Sequence, residues 1–158
     1  MQTNKQRRAE MNTRERAEAR DLVRKAVAFC EDAGRGAALA EIADRNGQFV
    51  RNGYYSYALD LTGTVLAHPF ATELTGRDCI KLEDSNEKPF IRRILDIAKS
   101  KGYGFVDYLW HRPSSREELR KTVYLERVED MVFCCGFYTT EQDYLVSLFK
   151  CYDYAGPM

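Results

Sequence analysis

The stretch Tyr54-Tyr55-Ser56-Tyr57-Ala58-Leu59-Asp60-Leu61-Thr62-Gly63-Thr64-Val65-Leu66-Ala67-His68-Pro69 decides the fold. Two runs rich in tyrosine, leucine and valine flank an Asp-x-x-Gly turn, the pattern of a β-hairpin. The second run stops at His68-Pro69, because proline has no N–H to give a ladder. Alternation puts Tyr55, Tyr57 and Leu59 on one face and Tyr54, Ser56 and Ala58 on the other. On the second run Leu66 and His68 are expected to share a face. A lone hairpin is marginal in water, so other elements must cover it.

Outward from the hairpin the chain supplies them. Before it, residues 4 to about 20 are charged or small, with Arg7, Arg8, Glu10, Arg14, Glu15, Arg16, Glu18 and Arg20. An apolar stripe begins at Leu22 and continues through Val23, Ala26, Val27 and Cys30. This predicts one long helix ending at Gly34 or Gly36, its second half docked on the core. Its first half reads either as solvated or as a helix–helix dimer contact. A shorter helix is expected over 37–45, with Leu39 and Ile42 inward. After the hairpin, residues 70–88 are irregular and polar. Asp84-Ser85 before Pro89 reads as a helix start. Phe90, Ile91, Ile94, Leu95 and Ala98 then recur at helical spacing up to Gly102.

Three strands follow. Residues 103–110 place Val106, Tyr108 and Trp110 on one face. Residues 121–128 place Lys121, Val123, Leu125 and Arg127 on one face, opposite Thr122, Tyr124 and Glu126. Met131 to Tyr138 is mostly apolar and reads as a central strand. A charged loop with Pro113-Ser114-Ser115 joins the first two. Last comes an amphipathic helix with Tyr144, Leu145, Leu148, Phe149 and Tyr152. Strands joined by hairpins, with helices grouped apart, predict an α+β antiparallel sheet.

The 158 residues suffice for one core. Lysine plus arginine equals aspartate plus glutamate, and the zero net charge argues against a nucleic-acid surface. No apolar run is long enough for a membrane span, and no secretory signal is visible. Five cysteines, with a vicinal Cys134-Cys135 pair, read as reduced thiols. Together these predict a cytoplasmic location. Metal and cofactor sites are not expected: only His68 and His111 are available, and the cysteines lack ligand spacing. Cys134 and Cys135 are expected on opposite faces of a strand. No catalytic triad or phosphate loop is supported by order or spacing.

Ala40-Glu41-Ile42, Gly47-Gln48-Phe49, the Tyr-x-Tyr run and Asp60-Leu61-Thr62-Gly63-Thr64-Val65-Leu66-Ala67-His68-Pro69 resemble the single Cache domain family. So do Leu74-Thr75-Gly76-Arg77-Asp78, the helix from Pro89, Gly102-Tyr103-Gly104 and Val106-Asp107-Tyr108-Leu109-Trp110. Lys121-Thr122-Val123-Tyr124 and Gly136-Phe137-Tyr138 complete a collinear series from about residue 22 to 138. The resemblance implies a PAS-like antiparallel sheet of five to six strands behind a long N-terminal helix. It divides the chain into a charged helical extension (1–21), a ligand-binding domain (22–140) and a C-terminal amphipathic helix (141–158). It also implies a non-enzymatic small-molecule sensor for signal transduction or chemotaxis, in a family that is usually the extracytoplasmic part of a chemoreceptor or histidine kinase. Ligands of this pattern are short carboxylates such as acetate, propionate, pyruvate or lactate.

Lys121 reads as a solvated edge charge or as a cation facing a cavity. A desolvated ammonium is costly unless paired, so an anionic guest would suit it. Tyr108 and Trp110 are either core aromatics or a hydroxyl donor and an apolar wall. His68 is a structural hydrogen bonder or a pocket donor. The family pattern favours the pocket role for Lys121, Tyr108, His68, Tyr57 and Trp110. Tyr57 is expected to serve better than Tyr55. Further partners expected are a second copy through the N-terminal helix and a separate signalling protein. The alternative function is a dimerising module without a physiological small ligand.

Overall fold

The computed structural model describes residues 3–111 and 116–139. The expected C-terminal helix over 141–158 and the Pro113-Ser114-Ser115 loop lie outside the described residues. Helix α1 (Asn4–Ala33) leads, and α2 (Arg35–Ala43) follows after one residue. Gly34 makes that break at φ 93°, a left-handed conformation that suits glycine, while its N–H bonds Cys30 O. The strands are β1 (Val50–Arg51), β2 (Tyr54–Asp60), β3 (Val65–Ala67), β4 (Tyr103–His111), β5 (Glu118–Val128) and β6 (Met131–Thr139). Helix α3 (Phe90–Ser100) lies between β3 and β4.

The sheet order is β1-β2-β6-β5-β4, with β3 pairing the same edge of β2 as β1 but further along it, and every named pair is antiparallel. Strands β4, β5 and β6 form a meander, and β6 is central between β2 and β5, as expected. The turn of the β2–β3 hairpin is held by Asp60. Its Oδ1 accepts the N–H of Thr62 (2.8 Å) and Thr64 (3.0 Å), and the Thr62 hydroxyl (2.7 Å). An aspartate that bonds its own backbone two residues on is a built-in turn former.

The sheet separates two cores. On one face α1 lays Ala19, Leu22, Val23, Ala26 and Cys30 against Ala58, Tyr124, Met131, Phe133, Cys135 and Phe137. Full burial reaches back at least to Ala19, three residues before the stripe read from Leu22, and Arg16 lies over the Phe105 ring at 4.5 Å; Ala19 is small, and the charges around it mask it in sequence. On the other face α3 buries Phe90, Ile91, Ile94, Leu95 and Ala98 against Leu59, Val106, Val123, Leu125 and Val132. Cys134 faces this second core and Cys135 the first, so the vicinal pair is split across the sheet.

Two local expectations change. Leu66 packs against the α1-side core, whereas His68 joins the α3 side. Strand β3 ends at Ala67, so strand alternation no longer governs His68. Asp84 does not start α3. The N-cap position is Pro89, and Asp84 serves the preceding loop instead.

Candidate functional site

On the α3 face, three paired strands bring tyrosines around one lysine. Register sets Lys121 of β5 opposite Tyr108 of β4 and opposite Tyr138 of β6. Tyr55 and Tyr57 of β2 pair with Gly136 and Cys134 of β6. Lys121 therefore has a phenol on each side, and its stem runs over Gly136. A Cβ at Gly136 would come within 2.7 Å of Lys121 Cε and 3.0 Å of the fixed Thr122 carbonyl. Glycine there is what lets the lysine lie down along the sheet.

Lys121 is only 2% exposed. Its Nζ donates to Tyr55 Oη at 3.1 Å and also bonds Tyr138. It sits 5.0, 5.2, 5.8 and 5.3 Å from the ring centres of Tyr55, Tyr57, Tyr108 and Tyr138. Those distances lie in the cation–π range. Among the described residues no carboxylate pairs with it. Burial pushes the ammonium toward its neutral form. The oxygens of Tyr108 and Tyr138 and the Cys135 sulfur push back, and the balance stands above an ordinary lysine. The group is thus a cation at neutral pH, held by neutral dipoles and ring faces. Of its three protons, two go to phenols and one remains for a guest.

The other donors are arranged around it. Tyr57 and Tyr108 share a hydroxyl–hydroxyl bond of 3.1 Å, and Tyr57 also bonds the Cys134 thiol. Both phenols are kept protonated: burial holds Tyr57 well above the ordinary tyrosine value and takes Tyr108 to about 12. His68 stacks on Tyr57 with ring centres 5.4 Å apart. Its Nδ1 accepts the N–H groups of Phe70 (3.0 Å) and Ala71 (2.8 Å), which assigns the proton to Nε2. Burial, then the Lys121 charge, lowers its pKa to about 3, so His68 is a neutral donor. Phe90 stacks on Tyr108 (4.1 Å) and meets Trp110 edge-on (5.1 Å), joining α3 to the site.

All five residues anticipated from sequence, Tyr57, His68, Tyr108, Trp110 and Lys121, line one hollow of about 30 Å³. Its remaining lining is apolar or a thiol, from β2 and β3, the 70–88 segment and α3. The hollow lacks an acidic side chain among the described residues. Its volume is about that of one water molecule. Sequence reading missed Tyr138 and Gly136, and ranked Tyr55 below Tyr57. The alternation of β2 already placed Tyr55 on the Lys121 face; the role of Gly136 depends on which way the lysine turns. A larger cavity, about 600 Å³, lies by Arg45, Tyr54 and Phe70 and reaches Tyr55 and Tyr138. Its cation, Arg45, is exposed and rests over the Phe70 ring at 5.5 Å, so the buried chemistry is in the smaller hollow.

The α+β fold and this buried cluster of hydroxyl, imidazole and ammonium donors define a module with a polar cavity beside its sheet. Residues 38–146 match the family model for the Cache domain, and the chain belongs to that family. A solved periplasmic sensor domain of a chemotaxis protein is 29% identical, with TM-score 0.66, covering 82% of this chain and 96% of its own. A methyl-accepting chemotaxis protein from Vibrio parahaemolyticus is 23% identical, with TM-score 0.71, covering 85% of this chain and 95% of its own. A Cache chemosensory domain solved for its carboxylic acid recognition is 22% identical, with TM-score 0.68, covering 87% and 99%. The chain is thus a Cache domain, and its family is non-catalytic.

The cytoplasmic expectation is corrected by these matches: the 29% identical relative is a periplasmic sensor domain. The thiols misled because they are read by number and not by place. Cys30, Cys79, Cys134 and Cys135 are each buried and act as small apolar side chains, which says nothing of compartment. Equally, no described helix is long and apolar enough to cross a membrane, and that fact bears on the helices alone.

Proposed function

We propose that this domain senses a short monocarboxylate, of the acetate, propionate, pyruvate or lactate class, in the hollow beside Lys121. The observation that carries the reading is the buried ammonium without an acidic partner among the described residues, ringed by four phenols. A carboxylate entering there gains a charge-assisted bond from Lys121. It also gains a hydroxyl from the Tyr57–Tyr108 pair and Nε2–H of His68. Apolar residues such as Leu59, Leu74 and Ile91 suit an alkyl tail. The lack of an acidic group disfavours amino acids and amines, whose ammonium would be left unpaired beside another cation. The relative solved for carboxylic acid recognition has the same fold, and the residue chemistry here supports a like guest. At about 1.5 kcal/mol per heavy atom at best, a guest of about six atoms is held by less than about 9 kcal/mol. Dissociation constants should be micromolar or weaker.

Thermal shift and calorimetry with the sodium salts of those four acids test the reading. At a hundred times the dissociation constant, a true ligand adds about 2.7 kcal/mol of stability. Lys121→Met should abolish that shift while leaving the apo protein folded, since an apolar side chain replaces a desolvated charge. Tyr108→Phe should weaken it. Shifts that survive both changes would place the acid elsewhere.

A further inference from the structure

At about 30 Å³ the hollow is too small for a carboxylate of several heavy atoms, and with Lys121 only 2% exposed, a guest that reaches the ammonium has to widen it. Three of its walls are secured. The sheet is tied by ladder bonds, and α3 is anchored by five buried side chains. Residues 63–79 are stitched together by backbone bonds: Val65 N–H to Arg77 O (3.0 Å), Gly76 N–H to Val65 O (2.8 Å) and Cys79 N–H to Gly63 O (2.9 Å). The fourth wall is the strap from Ile80 to Pro89, which sets Leu82 against the hollow and leads into Phe90. Its backbone bonds to the described structure are short-range: Leu82 to Cys79, Asp84 with Lys88, and Glu87 to Asp84. What fastens its middle to the sheet is side-chain chemistry at the open edge of β4. Asp84 Oδ2 accepts the Leu109 N–H at 3.0 Å, while Oδ1 accepts Asn86 N–H and Lys88 N–H, each at 2.9 Å. Lys88 Nζ donates to Asp107 O, and Ser85 Oγ bonds Glu118.

We infer that Asp84 is the positioning residue of this site: its carboxylate latches the 80–89 strap to the β4 edge, and release of that latch admits the guest. One oxygen holds the strap in shape and the other holds it to Leu109. The same bonds keep the carboxyl below the usual carboxylate range despite partial burial. Leu82 before the latch and Phe90 after it both face the hollow, so the latch sets the distance between two of its walls. This inference rests on the hollow being the carboxylate site, and the test separates the two.

Asp84→Asn is the informative change. The amide still offers one acceptor to Asn86 and Lys88, but turns N–H against N–H at Leu109. Lys88→Met, at a half-buried position, removes the Asp107 tie without touching Asp84. Stopped-flow binding of propionate to the full chain should show association and dissociation both faster by about tenfold or more in Asp84→Asn. The dissociation constant should stay within about threefold, the mark of a gate and not of a contact. A smaller change in the same direction is expected for Lys88→Met. Hydrogen exchange on the ligand-free protein is the second arm: the Leu109, Asn86 and Lys88 amides should open together in wild type and about tenfold faster in Asp84→Asn. Unaltered binding rates with propionate still bound would overturn the latch and leave the ligand reading intact. If wild type binds none of the acids, the ligand reading fails, and exchange decides the latch alone: unchanged or uncorrelated opening of the three amides refutes it.

Discussion

The two faces of the sheet are built from alternate residues of the same strands, yet they do different work. Under α1 the interior is mostly hydrocarbon and thiol, as in Leu22, Val23, Met131, Phe133 and Cys135, with the hydroxyl residues Tyr124 and Ser56 also buried there. Under α3 the same strands bury a lysine, a histidine and the hydroxyl ends of Tyr55, Tyr57 and Tyr108. Neighbours in sequence land in opposite environments, as Cys134 and Cys135 do. One face can thus bury polar groups beside an apolar core as full as its neighbour's, since α3 still packs Phe90, Ile91, Ile94 and Leu95 there.

The sharpest way to break that comparison is a pair of truncations. Phe133→Ala on the α1 face should cost about 3–5 kcal/mol in urea or thermal unfolding. Any protein that remains folded should keep its acid affinity, since Phe133 does not line the hollow. A loss of affinity in the folded fraction would mean the two faces are coupled through the sheet.

The pH dependence of stability sharpens the same contrast. His68 titrates near 3 when folded and near 6.5 when unfolded. As pH falls below 6.5 the unfolded chain takes a proton that the folded chain refuses. Its contribution is therefore complete above that pH and shrinks by about 1.4 kcal/mol per pH unit down toward 3. Asp60 and Asp84, both held below the ordinary carboxylate value, add their own loss in more acid solution. Unfolding curves between about pH 6.5 and 4.5 isolate the histidine. His68→Asn, which can keep an acceptor near the Nδ1 position, should flatten that limb.

The smallest effect belongs to the α1 face. Ser56 is fully buried, and its hydroxyl has no partner among the described residues. Ser56→Ala should raise stability by about 1 kcal/mol, measured by the urea midpoint at constant slope. A destabilisation would show that this face, too, holds a polar group for a reason.

Much of this was legible beforehand. The Asp60 turn, the α3 stripe from Phe90 to Ala98 and the alternation of β5 are local patterns, and a local pattern needs only backbone geometry to be read. Those same alternations put Tyr57, Tyr108, Trp110 and Lys121 on inward faces. His68 was harder, because it stands one residue past the end of β3. Asp84 was misread as a helix start because an aspartate near a proline serves many turns. Its Leu109 partner lies 25 residues away.

By itself the sequence determined the family, the main helices and strands among the described residues and the alternation of their faces, since periodicity and turn chemistry act over a few residues. Only the tertiary structure decided how those faces meet. The register of β4 and β6 on β5 brings Tyr108 and Tyr138 beside Lys121, and the missing side chain at Gly136 gives the lysine room to reach Tyr55. Whether a buried charge is solvated, paired or left waiting depends on atoms far apart in the chain, and no local pattern encodes that.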